Sequence, residues 1–408
     1  MLNELHLRHV GPAPRFDIEF AERLNIFTGD NGLGKSFLLD VAWWALTGKW
    51  SDQAAYPQRF EDAEPEIALT VDDSDETYSF SFSDLRWEPP KLSLRKLQDI
   101  VIYARADGGF SVVDPARKPA LTYHFTPDKL WNGLRSGGKV LCNGLIQDWV
   151  NWQRQPDQTV FDHLTQVIHQ LSPHAGEWME PGEPTRISLD DVRDMPTIRL
   201  PYDTIPVTYA SAGMKRILSL AYLMVWTWYE HQQAAKLRKR KPSDHLVLLI
   251  DEIEAHLHPQ WQRTILPAVL EVATNLRQSE QMQVQALVTT HAPLVLASVE
   301  PIFDEECDRL FLFDLPDNQV RLEEVPWSKQ GDIVGWLTSD AFGLRQARSK
   351  EAEEAIEAAE AYMRGASMDT FPAHLRDRDQ IHQELQRVLP GHDPFWPRWI
   401  VTAGRVFV

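Results

Sequence analysis

Cysteine is scarce: the 408 residues contain only Cys142 and Cys307. Two cysteines far apart, in no metal-ligand spacing, exclude a disulfide framework and a zinc module and fit a reducing cytoplasm. Long apolar runs are lacking as well. The longest, Ile217 to Tyr229, is too short to cross a bilayer. The opening Met1-Leu2-Asn3-Glu4-Leu5-His6 has no basic stretch followed by an apolar one, so neither a membrane anchor nor an export signal is expected. Positive charge is in deficit, with 41 Lys and Arg against 59 Asp and Glu and a formal charge of −18. That balance argues against a protein that coats nucleic acid over its whole surface. One basic run, Lys236-Leu237-Arg238-Lys239-Arg240-Lys241, leaves room for nucleic acid as a partner, although it equally suits a solvated helix end. Internal repeats, long low-complexity tracts and the sustained heptads of a coiled-coil arm are absent.

What is present describes a folded chain. Hydrophobic residues make up 43%, charged residues 25%, and 15 tryptophans are scattered evenly, enough for one large domain or roughly two to three ordinary ones. The opening reads as a hairpin, Leu2 to Val10 and Arg15 to Phe20 around Gly11-Pro12-Ala13-Pro14. A third apolar run, Leu24 to Thr28, enters a glycine-rich loop and then a helix ending at Gly48. Alternating segments between Glu64 and Asp114, such as Glu66 to Val71 and Thr77 to Phe82, predict an antiparallel β lobe. Residues 125 to 175 predict helices, and a Pro-rich crossing follows from Pro173 to Pro206. Beyond it, a helix from Met214 to Ala235, a strand Leu246 to Ile250, a helix Gln260 to Leu276 and a strand Val284 to Thr289 alternate as in a parallel sheet with crossover helices. Ser349 to Arg364 is a Glu- and Ala-rich helix stopped at Gly365. The tail aromatics Phe395, Trp396 and Trp399 either dock a partner or close over their own core. The expected organisation is a domain over 1–325, divided into a β-rich lobe (1–120), a helical insert (121–240) and a core (241–325), followed by a helical extension over 326–408.

Chemistry concentrates in three places. Gly29-Asp30-Asn31-Gly32-Leu33-Gly34-Lys35-Ser36 fits the phosphate-loop pattern in full and lies between a strand and a helix, as that motif requires. Its glycines let backbone N–H groups turn toward the β-phosphate, Lys35 reaches the β- and γ-phosphates, and Ser36 offers an oxygen to Mg²⁺. Gly29, Asp30, Asn31, Gly32, Gly34, Lys35, Ser36 and Phe37 are therefore candidate ATP-binding residues. Leu246 to Glu252 is a buried-strand run ending in two carboxylates, of which Asp251 would hold Mg²⁺ and Glu252 would polarise the attacking water. His291, after the apolar strand ending Val288-Thr289-Thr290, stands where an imidazole could meet a γ-phosphate.

Tyr209 to Arg216 opens a long helix with small residues. Ser211-Ala212-Gly213-Met214 resembles the ABC signature, and a serine with free N–H groups at a helix start makes an anion site. With these four motifs in this order, the chain resembles the ATPases related to RecF, SMC and OLD proteins. Asp251-Glu252-Ile253-Glu254-Ala255-His256-Leu257-His258-Pro259 is especially similar to the Asp-Glu-Pro-Glu-x-x-Leu-His-Pro pattern of OLD-like and Septu-type defence ATPases, and His291-Ala292-Pro293 to their Thr-His-Ser-Pro. Ile253 stands where those have proline and Ala212 where the signature has glycine. The resemblance covers about residues 1 to 300 well, and the tail loosely through Trp336 to Leu344.

It implies an α/β P-loop ATPase head that hydrolyses ATP as a homodimer with nucleotide at the interface, larger assemblies left open. Ser211, Ala212, Gly213 and Met214 would then meet the partner's γ-phosphate, and Glu254 to His258 would lie at the dimer seam. Gln147 and Gln153 are both candidates for the γ-phosphate-sensing glutamine. His256 and His258, without a third partner nearby, fit seam or packing roles better than metal ligation. An engine without arms, membrane anchor or a following acidic nuclease cluster is expected to act on a separate effector protein, a nuclease above all, in an antiviral system. The alternatives are a RecF-like ATPase that clamps DNA through Lys236 to Lys241, and a nucleotide-gated scaffold without turnover.

Overall fold

The structure is a computed structural model that describes residues 1–58, 64–72, 74–88, 99–117, 121–173, 179–277 and 282–403. Parts of two expected segments, 73 and 89–98 of the β lobe and 174–178 of the Pro-rich crossing, lie outside the described residues.

In chain order the elements are β1 (Leu2–Val10), β2 (Ala13–Glu19), β3 (Leu24–Gly29), α1 (Lys35–Thr47), β4 (Glu66–Val71), β5 (Ser74–Ser81), β6 (Arg86–Trp87), β7 (Ile100–Ala104), β8 (Phe110–Asp114) and β9 (Leu121–Phe125). There follow α2 (Pro127–Asn132), β10 (Leu134–Ser136), β11 (Lys139–Cys142), α3 (Leu145–Arg154), α4 (Thr159–Gln170), β12 (Glu180–Thr185), β13 (Met195–Arg199) and β14 (Thr204–Pro206). Next come α5 (Ala212–Leu237), β15 (His245–Ile250), α6 (Pro259–Gln262), α7 (Ile265–Thr274), β16 (Gln283–Thr289), α8 (Pro293–Val299), β17 (Asp308–Asp314) and β18 (Arg321–Glu324). The last elements are α9 (Ile333–Leu337), α10 (Lys350–Met363), α11 (Arg378–Val388) and α12 (Phe395–Ala403).

The central sheet runs β18-β17-β3-β16-β15-β7-β8-β9. Its five middle strands, β17, β3, β16, β15 and β7, are parallel, and the outer strands are antiparallel. Parallel strands covered on both faces read as unbroken apolar runs, which is why Leu246 to Ile250 of β15 is buried throughout. The register brings the carboxyl ends of the strands to one edge: Ile250 pairs with Ala104 and Val288, and Thr289 with Phe27. A second sheet, β2-β1-β4-β5-β6, is antiparallel. Helix α1 shares one core with both sheets and buries Trp43 and Trp44 as well as Leu38, Val41, Ala42, Ala45 and Leu46. A helix apolar on all sides is the form such burial requires.

The α/β expectation holds, with local corrections. The stretch expected to be helical from 125 to 175 also contains the β10-β11 hairpin, and the Pro-rich crossing contains the antiparallel sheet β12-β13-β14. The helix expected from Gln260 to Leu276 is two, α6 and α7, with the break at Arg263-Thr264. Pro267 explains it, since its ring would collide with the Arg263 carbonyl in a continuous helix but is harmless in the first turn of a new one.

The chain divides into two compact units, Met1–Gly331 and Asp332–Val408. In the second, Ser349 caps α10 by accepting from the Ala352 N–H, and Ala355, Ile356, Ala359, Ile381, Leu385, Phe395 and Trp399 form a core. Phe395 and Trp399 thus close over their own unit, with the Trp396 indole N–H donating to the Pro390 carbonyl.

Candidate nucleotide site

Between β3 and α1 the chain can turn tightly because glycine stands at the crowded points. A Cβ on Gly29, at φ 124, would lie 2.1 Å from the Phe313 carbonyl oxygen, and one on Gly34, at φ 107, would lie 2.5 Å from the Pro12 ring. Helix α1 begins with no side chain capping its N-terminus, which leaves its first N–H groups facing the loop for an anion. Asp30, Asn31, Gly32 and Ser36 are exposed there, and the Phe37 ring lies against Gly11.

Lys35 is 5% exposed and donates from Nζ to the carbonyls of Gly29 (2.9 Å) and Asp30 (2.6 Å). Burial pushes its ammonium down to about 8, against the pull of the carboxylates of Glu252, Asp251, Asp30 and Glu254. Four acidic groups thus act on one buried lysine.

The ends of β15 and β16 meet through Thr289. Its hydroxyl donates to Asp251 Oδ1 (2.7 Å) and accepts the Glu252 N–H (2.8 Å). The Asp251 N–H itself donates to the Ala104 carbonyl at 2.8 Å, so Asp251 is buried between two neighbouring strands. Glu252 has φ 48, a strained left-handed conformation costing about 1–3 kcal/mol and persisting only where its surroundings hold it. Its half-exposed carboxylate lies 3.9 Å from His291 Nε2.

Two residues that the motifs contain, Glu254 expected at the dimer seam and Arg216 given no role, are also joined to this site. Glu254 accepts from the Thr290 hydroxyl (2.8 Å) and from the His291 N–H (2.5 Å). Arg216 donates to the carbonyls of Arg105 (2.8 Å) and Asp251 (3.2 Å). Burial lowers the pKa of its guanidinium, while Asp251, Asp107, Glu252 and Glu254 act in the other direction. Nothing in the sequence around Arg216 signals this placement, which arises from contacts with residues far along the chain.

Ser211 is the N-cap of α5 and accepts from the Met214 N–H at 3.3 Å. Ser211 and Ala212 are exposed while Gly213 and Met214 are buried, and a Cβ on Gly213 would sit 2.7 Å from the His256 carbonyl oxygen. The helix start therefore packs on the loop that follows Glu252. Among the described residues no hydrogen bond joins Ser211 to the phosphate loop of its own chain. Gln153 donates to the Gly182 carbonyl at 3.0 Å and Gln147 is exposed on α3. Among the described residues neither is hydrogen-bonded to the phosphate loop, Asp251, Glu252 or His291. His258 caps α6 by accepting from the Gln260 N–H, and His256 is exposed with φ 64. Among the described residues no group of three or more His, Cys, Asp or Glu could hold a metal by itself, and none of the helices is long and apolar enough to cross a membrane.

A phosphate loop after a parallel strand, with the strand leading to Thr-His beside it and the strand ending in Asp-Glu next beyond, is the arrangement of an ABC-type P-loop ATPase head. Family models agree: an AAA ATPase domain matches residues 150–296 and an AAA domain matches 4–101. Septu protein PtuA of Bacillus thuringiensis is 24% identical over 383 residues, covering 87% of each chain. Retron Ec83 probable ATPase of Escherichia coli is 39% identical over 100 residues, which are 24% of this chain and 15% of that protein. The chain is thus similar to Septu PtuA and to a retron ATPase, in line with the resemblance. Solved structures with a similar course include an Smc head bound to the C-winged helix domain of ScpA (14% identical, TM-score 0.41, 80% of this chain and 98% of that one). Another is the recombination mediator protein RecF (12% identical, TM-score 0.37, 79% and 98%).

Proposed function

We propose that the chain is the ATP-hydrolysing subunit of an antiphage defence system, and that it closes as a homodimer around two ATP molecules to control a separate effector, of which a nuclease is the expected kind. The observation that carries the hydrolytic part is the pairing of Glu252 with His291 at the carboxyl edge that also holds Lys35. Glu252 takes the proton of the attacking water, His291 hydrogen-bonds the γ-phosphate, and Lys35 leaves its loop carbonyls for the β- and γ-phosphates. The donors fit Mg²⁺: the exposed Ser36 hydroxyl and the Asp251 carboxylate, oriented by Thr289, are oxygen ligands suited to a hard cation. Bound there, the ion would neutralise phosphate charge. That Ser211 is exposed and, among the described residues, has no hydrogen bond to its own phosphate loop supports a role for it at the partner's nucleotide. The setting in defence rests on the likeness to proteins named for Septu and retron systems.

Mixing two inactive variants tests the shared site. Lys35→Ala and Ser211→Arg subunits each lack activity alone. Mixed, they form dimers with one intact site, and ATPase activity returns to about a quarter of wild type on statistical pairing of a two-fold dimer. No recovery sinks the shared site. Glu252→Gln abolishes phosphate release while ATP still binds. An unchanged rate would mean that Glu252 is not the base.

A further inference from the structure

We infer that Glu254 is a positioning residue that sets the distance between His291 and Glu252. The inference rests on the reading of those two residues as parts of the hydrolytic site. Glu254 lies two residues beyond the base on the loop after β15, and both of its carboxylate oxygens are committed to the end of β16: one to the Thr290 hydroxyl at 2.8 Å, the other to the His291 N–H at 2.5 Å. The Thr290 hydroxyl accepts in turn from the Ala292 N–H at 3.1 Å. Main-chain pairing at this corner reaches only as far as Thr290, whose N–H donates to the Phe27 carbonyl at 3.0 Å, and leaves His291 unheld, because β16 ends at Thr289 and α8 begins at Pro293. Two charge-assisted hydrogen bonds from one planar group fix its orientation.

The same short loop carries Glu252, whose left-handed backbone is pinned by Thr289. Glu252 and His291 are therefore held from two sides: Thr289 fixes the Glu252 backbone and Glu254 the His291 backbone. The resulting separation of 3.9 Å is close to, but outside, a direct hydrogen bond, which leaves the imidazole available for phosphate. Glu254 itself donates no proton to the reaction. Each of its oxygens already accepts from a protein donor, and this sets it apart from Glu252.

The experiment compares Glu254→Ala and Glu254→Gln in the full chain. A glutamine keeps both contacts, its oxygen accepting the His291 N–H and its amide donating to Thr290. It is expected to retain turnover within a few-fold of wild type. Alanine releases the corner and is expected to lower kcat about 100-fold, the order of loss for a misplaced reacting group, with KM for ATP nearly unchanged. A residue that merely holds the fold together would shift stability and leave the kcat against KM split untouched; a residue acting as a base would be lost equally in both variants. Amide hydrogen exchange supplies a readout independent of turnover: Glu254→Ala is expected to speed exchange at His291 and Ala292 by about 10-fold or more, while Glu254→Gln leaves it slow. Unchanged exchange in the alanine variant, or equal loss of kcat in both, overturns the inference. If the wild type binds ATP without turnover, the hydrolytic reading is what fails, and exchange alone then decides whether Glu254 holds His291.

Discussion

The Thr289 hydroxyl donates to the Asp251 carboxylate at 2.7 Å while accepting the Glu252 N–H at 2.8 Å. Thr289 and Asp251 are both buried, so one oxygen atom joins the strand that bears the carboxylates to the strand that leads to His291. Thr289→Val keeps the shape and removes the oxygen. It strands a buried carboxylate and a backbone N–H, and the expected cost is about 2–3 kcal/mol of folding stability. Thr289→Ser keeps the oxygen and is expected to lose less than about 1 kcal/mol. Urea denaturation of the full chain measures both, and equal losses would deny the bridge its role.

Lys35 makes ATP binding depend on pH in a definite direction. Burial holds its ammonium at about 8 in the free protein, whereas lysine in an unfolded chain titrates near roughly 10.4. Between these values the unfolded chain keeps a proton that the folded one has released, so the contribution of Lys35 to stability rises from about pH 8 upward and is constant below it. A triphosphate favours the charged form, so binding above pH 8 takes up a proton. The Kd for ATP is expected to weaken up to about tenfold per pH unit above 8 and to be flat below. Calorimetry from pH 7 to 9.5 checks this. Lys35→Arg, always charged, should bind with no such slope; a slope retained in that variant would assign it to another group.

How far the site could be read in the sequence follows from sequence distance. Gly29 to Phe37 form a contiguous motif whose spacing is dictated by one loop, and the acids and histidine at strand ends follow from a single apolar run each. Glu254 pairs with residues 36 and 37 positions away and Arg216 with a carbonyl 111 positions away; periodicity carries no trace of such pairings. The β12-β13-β14 sheet was hidden for a different reason. Its first strand, Glu-Pro-Gly-Glu-Pro-Thr, has the composition of a loop, and proline is tolerated there because β12 is an edge strand. The left-handed Glu252 and His256 were equally illegible, since nothing in a glutamate or a histidine announces a positive φ.

Trp399 tests the role of the tail. It is 1% exposed within the Asp332–Val408 unit, and its indole N–H donates to His382 Nδ1 at 3.1 Å. Trp399→Ala is expected to cost that unit about 3–5 kcal/mol, seen as faster hydrogen exchange across α10 and α11. If Trp399 were an anchor for a partner, the variant would keep its exchange pattern.

The start of α5 offers a sharp contrast between adjacent positions. A Cβ on Gly213 would stand 2.7 Å from the His256 carbonyl oxygen. That neighbour is backbone, in a loop already constrained by Glu254, and cannot swing aside as a side chain would. Gly213→Ala must displace either the helix start or the 252–258 loop, at an expected cost of about 1–3 kcal/mol. Ala212, one residue earlier, is exposed, so Ala212→Gly relieves nothing and is expected to cost at most about 1 kcal/mol, the intrinsic penalty of glycine in a helix. Since the displaced loop carries Glu252 and Glu254, Gly213→Ala should also lower kcat while ATP affinity, set at the phosphate loop, stays near wild type. Thermal melts with steady-state ATPase assays of the two variants separate these effects, and a Gly213→Ala protein with normal stability and turnover would show that the helix start does not bear on the loop.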